Sequence, residues 1–220
     1  MPAIMASRPR QAEPRPQPRL YLITPALADP AGFAAQLAAA LEAGDVAAVL
    51  LRLALGDERG LINRVKQIAP VCQQRAAALV LDGHVDIVAR GGADGGHLSG
   101  IAAFSEALEA LKPDRIAGCG GLHTRHDAML AAEQAADYVM FGEPDADGHR
   151  PPFSAVQERV AWWAEVFETP CVAYAAEAEE VAPLVSAGAD FIALGDWMWA
   201  DPAKHVREAG RHLALPESAA

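Results

Sequence analysis

The 220-residue sequence predicts an α/β single domain, a closed (β/α)8 barrel of the TIM type. Three observations carry that expectation. Eight short apolar runs punctuate the chain, segments of helical period separate them, and polar or glycine residues collect where each run stops. Parallel pairing follows, because each return to a parallel neighbour needs a covering helix. Several runs are almost wholly apolar, as in strands buried on both faces.

Residues 1–19, MPAIMASRPRQAEPRPQPR, are rich in proline and arginine and show neither period. They read as a disordered leader, either a solvated tail or a basic contact arm, without the apolar block of a secretory signal. The barrel is expected over residues 20–215. Leu20–Thr24 is its first strand and Ala31–Ala43 its first helix. Ala47–Leu53 follows as a strand and Leu61–Arg75 as a helix. Ala77–Leu81 is the third strand, ending in Asp82, Gly83 and His84 before a small helix over Val85–Gly91. Asp94–Leu98, Arg115–Cys119, Tyr138–Phe141, Pro170–Tyr174 and Phe191–Leu194 complete the eight strands, with a helix over Ser154–Glu168 after the sixth. An open doubly wound sheet is the alternative, but no Gly-x-Gly-x-x-Gly follows the first strand.

Composition narrows the function. The chain is 52% hydrophobic, enough for a sizeable core, and no apolar run is long and uniform enough to span a membrane. A formal net charge of -11 argues against a general nucleic-acid surface. The expected partner is therefore a small molecule, with no nucleic acid and no membrane, and a homo-oligomer is left open. Cys72, Cys119 and Cys171 are odd in number and widely spaced, forming neither a disulfide framework nor a paired metal motif, which fits a reducing cytoplasm. Trp162, Trp163, Trp197 and Trp199 offer aromatic area, as an interface or as shelf packing.

In parallel barrels chemistry gathers at the carboxyl ends of strands. Asp82, His84, His97 and Ser99 stand there, although Asp, Gly and Ser are also ordinary turn and cap residues. Five pieces in order and spacing sharpen the reading: LYLIT at 20–24, VLLRLA at 49–54, LVLDGHVDIVARGGADGGHLSG at 79–100, AADYVMFGEP at 135–144, and TPCVAYAAE…SAGADFIALG across 169–195. Together they resemble the thiamine phosphate synthase family, which includes the thiazole tautomerases. The resemblance implies the same barrel, and a transferase that joins hydroxymethylpyrimidine diphosphate to thiazole phosphate with Mg²⁺ assistance, releasing pyrophosphate.

Against that pattern the candidate residues divide. Of the family's Gln-x-Arg-x-Lys after the second strand, Leu50, Arg52 and Ala54 stand here, so Arg52 alone keeps a cation for phosphate. The Asn-Asp of the third strand becomes Asp82-Gly83, and Ala102 takes the second acidic position. Mg²⁺ thus rests on the resemblance alone, and no metal ligand is named. Asp82 and His97 are assigned to substrate binding. Gly142-Glu143-Pro144 lacks the Thr-x-Thr-Lys that follows in the family, while His149 and Arg150 bring alternative charge or belong to a solvated loop. Ala175-Ala176 replaces a Gly-Gly, and Asp196 a small hydroxyl residue, so Gly142, Ala176 and Asp196 are expected at the substrate. Gly118, Gly120 and Gly121 form either an anion-cradling turn or a plain tight turn, with Gly120 taken as a binding residue. His123 is expected to be catalytic, like the tautomerase histidine near this point, or else a buried or capping histidine. These replacements lead to two expectations: a divergent enzyme of weak or altered activity, or a catalytically silent barrel that binds a small ligand or a protein.

Overall fold

A computed structural model describes residues 16–213, and among them eight parallel strands close into a barrel in chain order. The strands are β1 (Arg19–Ile23), β2 (Val46–Leu51), β3 (Ala78–Asp82), β4 (Gly95–Ser99), β5 (Ile116–Gly120), β6 (Tyr138–Phe141), β7 (Cys171–Ala175) and β8 (Phe191–Leu194). The helices between and after them are α1 (Pro30–Ala43), α2 (Glu58–Gln73), α3 (Val88–Gly91), α4 (Ile101–Leu111), α5 (Arg125–Glu133), α6 (Phe153–Val166), α7 (Val181–Ser186) and α8 (Pro202–His212). Closure is made where β1 pairs with β8, Leu22 lying opposite Leu194. The open-sheet alternative is excluded.

Alternation along each strand divides the core in two. Leu20, Leu22, Val49, Leu51, Leu79 and Leu81 face outward and pack beneath the helices. Tyr21, Ile23, Leu50, Val80, Tyr138, Met140, Val172 and Tyr174 fill the barrel interior. That interior is unusually polar at its centre, because three tyrosines enter it.

Acidic residues set the ends of the elements. Asp29 and Asp57 cap α1 and α2, accepting the N–H groups of Ala31 and Gly60, and Thr124 with Asp127 forms a reciprocal capping box on α5. At the opposite end of the barrel, three aspartates act alike. Asp94, Asp137 and Asp190 each precede an even-numbered strand, and their carboxylates accept the N–H of Leu79, Ala117 and Cys171 at 2.7–2.8 Å. Each latches its strand to the preceding one on the face where barrels place stability rather than chemistry.

Several expected boundaries move. Arg19 already belongs to β1, held by an ion pair to Asp45 at 2.7 Å, while residues 1–15 of the expected leader lie outside the described residues. The second strand stops at Leu51 rather than Leu53, although Leu53 still bridges to Leu27. Val85–Gly91 is not one helix: a 3-10 turn over Val85–Ile87 precedes α3. The tryptophans are packing elements and not a free aromatic surface. Trp163 is fully buried, and Trp197 and Trp199 donate their indole N–H groups to the carbonyls of Ala175 and Ile23. No described helix is long and apolar enough to cross a membrane.

Candidate active site

Arg52 is the first residue past β2, and its backbone is held on both sides. Its N–H donates to the buried Thr24 Oγ1 at 3.0 Å, and its carbonyl accepts the N–H of Leu27 at 2.9 Å. The guanidinium therefore reaches over the barrel mouth. Its Nε lies 3.5 Å from Asp82 Oδ2, and its Nη1 lies 3.8 Å from Asp196 Oδ1. Asp82 closes β3, while Asp196 opens the 3-10 turn Asp196–Ala200 that Trp197 and Trp199 tie to the strand ends. Three of the expected residues thus converge from loops two, three and eight.

His97 projects from β4 into the barrel and is 4% exposed. Its Nδ1 meets the Tyr138 hydroxyl at 3.0 Å, and that hydroxyl meets Tyr21 Oη at 2.8 Å. Burial pulls the imidazole down to about 4, with the positive Arg52 acting in the same direction and Asp82 against it. His97 is accordingly neutral at pH 7. Burial also pushes both buried tyrosines well above their ordinary range, so they stay protonated. The chain Tyr21–Tyr138–His97 fixes the ring and leaves Nε2 for the mouth.

Beside Nε2 stands a residue that the sequence reading did not assign. The Glu143 carboxyl accepts the N–H of Gly121 through Oε1. Burial pushes its acid up to about 7, opposed by the Gly121 hydrogen bond. A Cβ built on Gly120 would fall 2.6 Å from His97 Nε2 and closer still to Glu143 Oε1. Gly120 therefore leaves room for two other side chains at this wall. Nothing in the local pattern marked Glu143, because a glutamate between a strand and a proline reads as an exposed loop residue.

Two adjoining cavities open here. One, of about 380 Å³, is lined by Arg52, Asp82, His97 and Glu143 together with the apolar Ile23, Leu50 and Met140. The other, of about 210 Å³, is lined by His123, Gly142, His149, Arg150 and Arg159. Ser99, Met140, Glu143, Pro144 and Asp145 border both. Gly142 needs to be glycine, since its φ is +94° and a Cβ would lie 2.7 Å from Val156. His123 is exposed and separated from Arg52 by the Glu143 wall. Ala176 does not present its N–H to either cavity. That N–H donates to Glu180 Oε2 at 2.8 Å, and Glu180 is itself paired with Arg150 at 2.8 Å. The Arg150 Nη2 remains buried without a hydrogen-bond partner.

The comparisons with known proteins bear on this arrangement. A family model described as thiamine monophosphate synthase matches residues 20–196. The chain belongs to the thiamine monophosphate synthase family. It is 43% identical to a thiamine-phosphate synthase of Rhodospirillum centenum over 188 residues, 84% of this chain and 91% of that protein. A second thiamine-phosphate synthase, from Hyphomonas neptunium, is 35% identical over 86% of this chain and 89% of its own. Among solved structures, a thiamine phosphate pyrophosphorylase from Pyrococcus furiosus superposes with a TM-score of 0.71 at 20% identity, covering 90% of this chain and 96% of that one. The (S)-3-O-geranylgeranylglyceryl phosphate synthase of Thermoplasma acidophilum follows at a TM-score of 0.65 and 13% identity, covering 90% and 93%. These two show the shared barrel.

For this family member the residues suit a magnesium ion only in company. Mg²⁺ is held by one or two carboxylates together with substrate phosphates and water. Asp82 and Asp196 are hard-oxygen donors whose side chains are 39% and 70% exposed, so both can turn from Arg52 toward an ion. Among the described residues, no third acid or histidine completes a cage with them. Among the described residues, the one trio close enough to share an ion is Asp145, Asp147 and His149, exposed on the loop after β6.

Proposed function

We propose that this member of the thiamine monophosphate synthase family is a transferase of thiamine biosynthesis acting in the cytoplasm. It joins hydroxymethylpyrimidine diphosphate to thiazole phosphate and releases pyrophosphate. The observation that carries the reading is the pair of adjoining cavities at one barrel mouth, the larger lined by Arg52. Two substrates need two bays with a common border, and an anionic leaving group needs a cation in one of them.

In this reaction a carbon–oxygen bond of the pyrimidine substrate breaks, its electron pair leaving with the diphosphate, and a lone pair of the thiazole ring forms the new bond. Negative charge grows on the departing oxygens, where Arg52 is placed to meet it. Ile23, Leu50 and Met140 give the ring an apolar floor that keeps water from the reacting carbon. Arg150 and His123 in the smaller cavity are the groups assigned to the second phosphate. Asp82 and Asp196 are the residues that would hold Mg²⁺ together with the diphosphate, and the ion would supply further positive charge to the leaving group. The names of the relatives support an active enzyme and give the silent-barrel alternative no support. The expectation of weakened turnover rests on replacements in the sequence alone: Leu50, Ala54, Gly83, Ala102, Ala175-Ala176, Asp196 and the missing Thr-x-Thr-Lys.

The test is pyrophosphate release by the purified full chain with both substrates and Mg²⁺, paired with growth of a synthase-deficient strain without thiamine. Turnover suppressed in Arg52→Ala supports the assignment. No release above background, and no growth, would overturn it.

A further inference from the structure

Among the described residues, Arg52 is the one arginine or lysine that lines the larger cavity. Ile23, Leu50 and Met140 line the same cavity as Arg52 and Glu143, apolar side chains suited to the face of a flat ring. In its wall Glu143 and His97 converge over the bare backbone of Gly120. Both are held in place by groups outside the cavity, Glu143 by the Gly121 N–H and His97 by the Tyr138 hydroxyl at 3.0 Å. No cation pairs with Glu143 among the described residues, so its carboxyl is not spent in a salt bridge.

We propose that Glu143 is the selectivity element of this cavity, recognising the edge of a heterocycle in which a ring nitrogen stands beside an exocyclic amine. A carboxyl group matches that edge atom for atom: one oxygen accepts from the amine while the other, protonated, donates to the ring nitrogen. Burial supports the protonated form, since it holds the Glu143 acid up to about 7. His97 Nε2 adds one further hydrogen-bonding position at the same wall, and Arg52 receives whatever anionic group the ring carries. The inference rests on the proposed function for the orientation of the ring, whose diphosphate lies toward Arg52. It goes further in naming the ring edge that is read and the residue that reads it.

The experiment uses the full chain and three probes: 4-aminopyrimidine, unsubstituted pyrimidine and inorganic pyrophosphate. Ligand-observed NMR titration measures the two rings, calorimetry measures pyrophosphate, and thermal melts establish folding of each variant. The protein is expected to prefer 4-aminopyrimidine over pyrimidine by roughly tenfold, the worth of one buried hydrogen bond. Glu143→Ala is expected to abolish the preference while leaving pyrophosphate affinity within about twofold. Glu143→Gln, which keeps an acceptor and a donor side by side, is expected to retain most of it, a rescue that a purely structural role would not give. No preference in the parent protein, or a preference that survives Glu143→Ala, would overturn the proposal. A preference that depends on Glu143 in a protein without pyrophosphate-releasing turnover would sustain this assignment and defeat the proposed reaction instead.

Discussion

Replacing Arg52 by alanine is the sharpest perturbation of the mouth. The guanidinium stands 3.5 Å from one carboxylate and 3.8 Å from another, and it is the cation that the larger cavity offers an incoming diphosphate. Two unit charges about 4 Å apart interact by roughly 4 kcal/mol at the effective dielectric of a protein surface. Removing one preorganised contact to a developing anion costs about 2.7–4 kcal/mol, or roughly 10²–10³ in rate. The expected fall in kcat/KM is therefore about 10²–10³. Stability should barely change. Both pairs are long and partly exposed, worth about 0–1 kcal/mol each, which corresponds to a few degrees in Tm for a chain of this size. Arg52→Lys should fall between, keeping charge but losing the planar fork. The assay is steady-state pyrophosphate release with thermal unfolding in parallel. A kcat/KM within tenfold of the parent enzyme would show that the diphosphate is met elsewhere and refute the assignment.

Other consequences follow from the same geometry. Gly120→Ala should displace both His97 and Glu143, costing about 1–3 kcal/mol in urea unfolding and most of the turnover. Tyr138→Phe strands the hydroxyl of Tyr21 and Nδ1 of His97, each buried, and should destabilise by about 1–3 kcal/mol in the same measurement. The folded-state acidity of Glu143 is raised from 4.5 to about 7, so its contribution to stability is full below pH 4.5 and is lost as pH rises toward 7. The stability difference between the parent protein and Glu143→Gln should therefore decline across that window, by up to about 1.4 kcal/mol per pH unit. His97, lowered from 6.5 to about 4, slopes the opposite way between those values and is common to both proteins; a difference that rises with pH would contradict the burial of Glu143. Calorimetric titration should find no saturable Mg²⁺ binding to the ligand-free protein but clear binding once inorganic pyrophosphate is present, and saturable binding without it that vanishes in Asp82→Ala would show a complete protein-held site.

The barrel was legible in the chain because its strands are buried on both faces. LYLI, VLL and YVMF cannot be placed in water, and each is followed by enough helix-periodic sequence for one crossover. Strand ends were less legible, because backbone pairing with a neighbour decides where a strand stops. Leu53 is as apolar as Leu51, yet only Leu51 finds its partner in β3. Candidate residues were legible where they stand at or just past a strand end, as Asp82 and Arg52 do, since strand order alone carries those ends to one mouth.

What only the tertiary structure decided is which groups meet, and in which state. Glu143 carries no mark in sequence; its chemistry comes from Gly120 and Gly121 of the neighbouring strand end, which make room for its carboxyl and satisfy one of its oxygens. The Tyr21–Tyr138–His97 chain joins residues 117 and 41 positions apart, through a barrel interior that no local pattern describes. Ala176, expected to face substrate, spends its N–H on Glu180 because the loop after β7 folds back on itself. Apolar periodicity is a local property and survives in one dimension. The state of a carboxyl or an imidazole is set by what surrounds it, and those surroundings exist only once the barrel has closed.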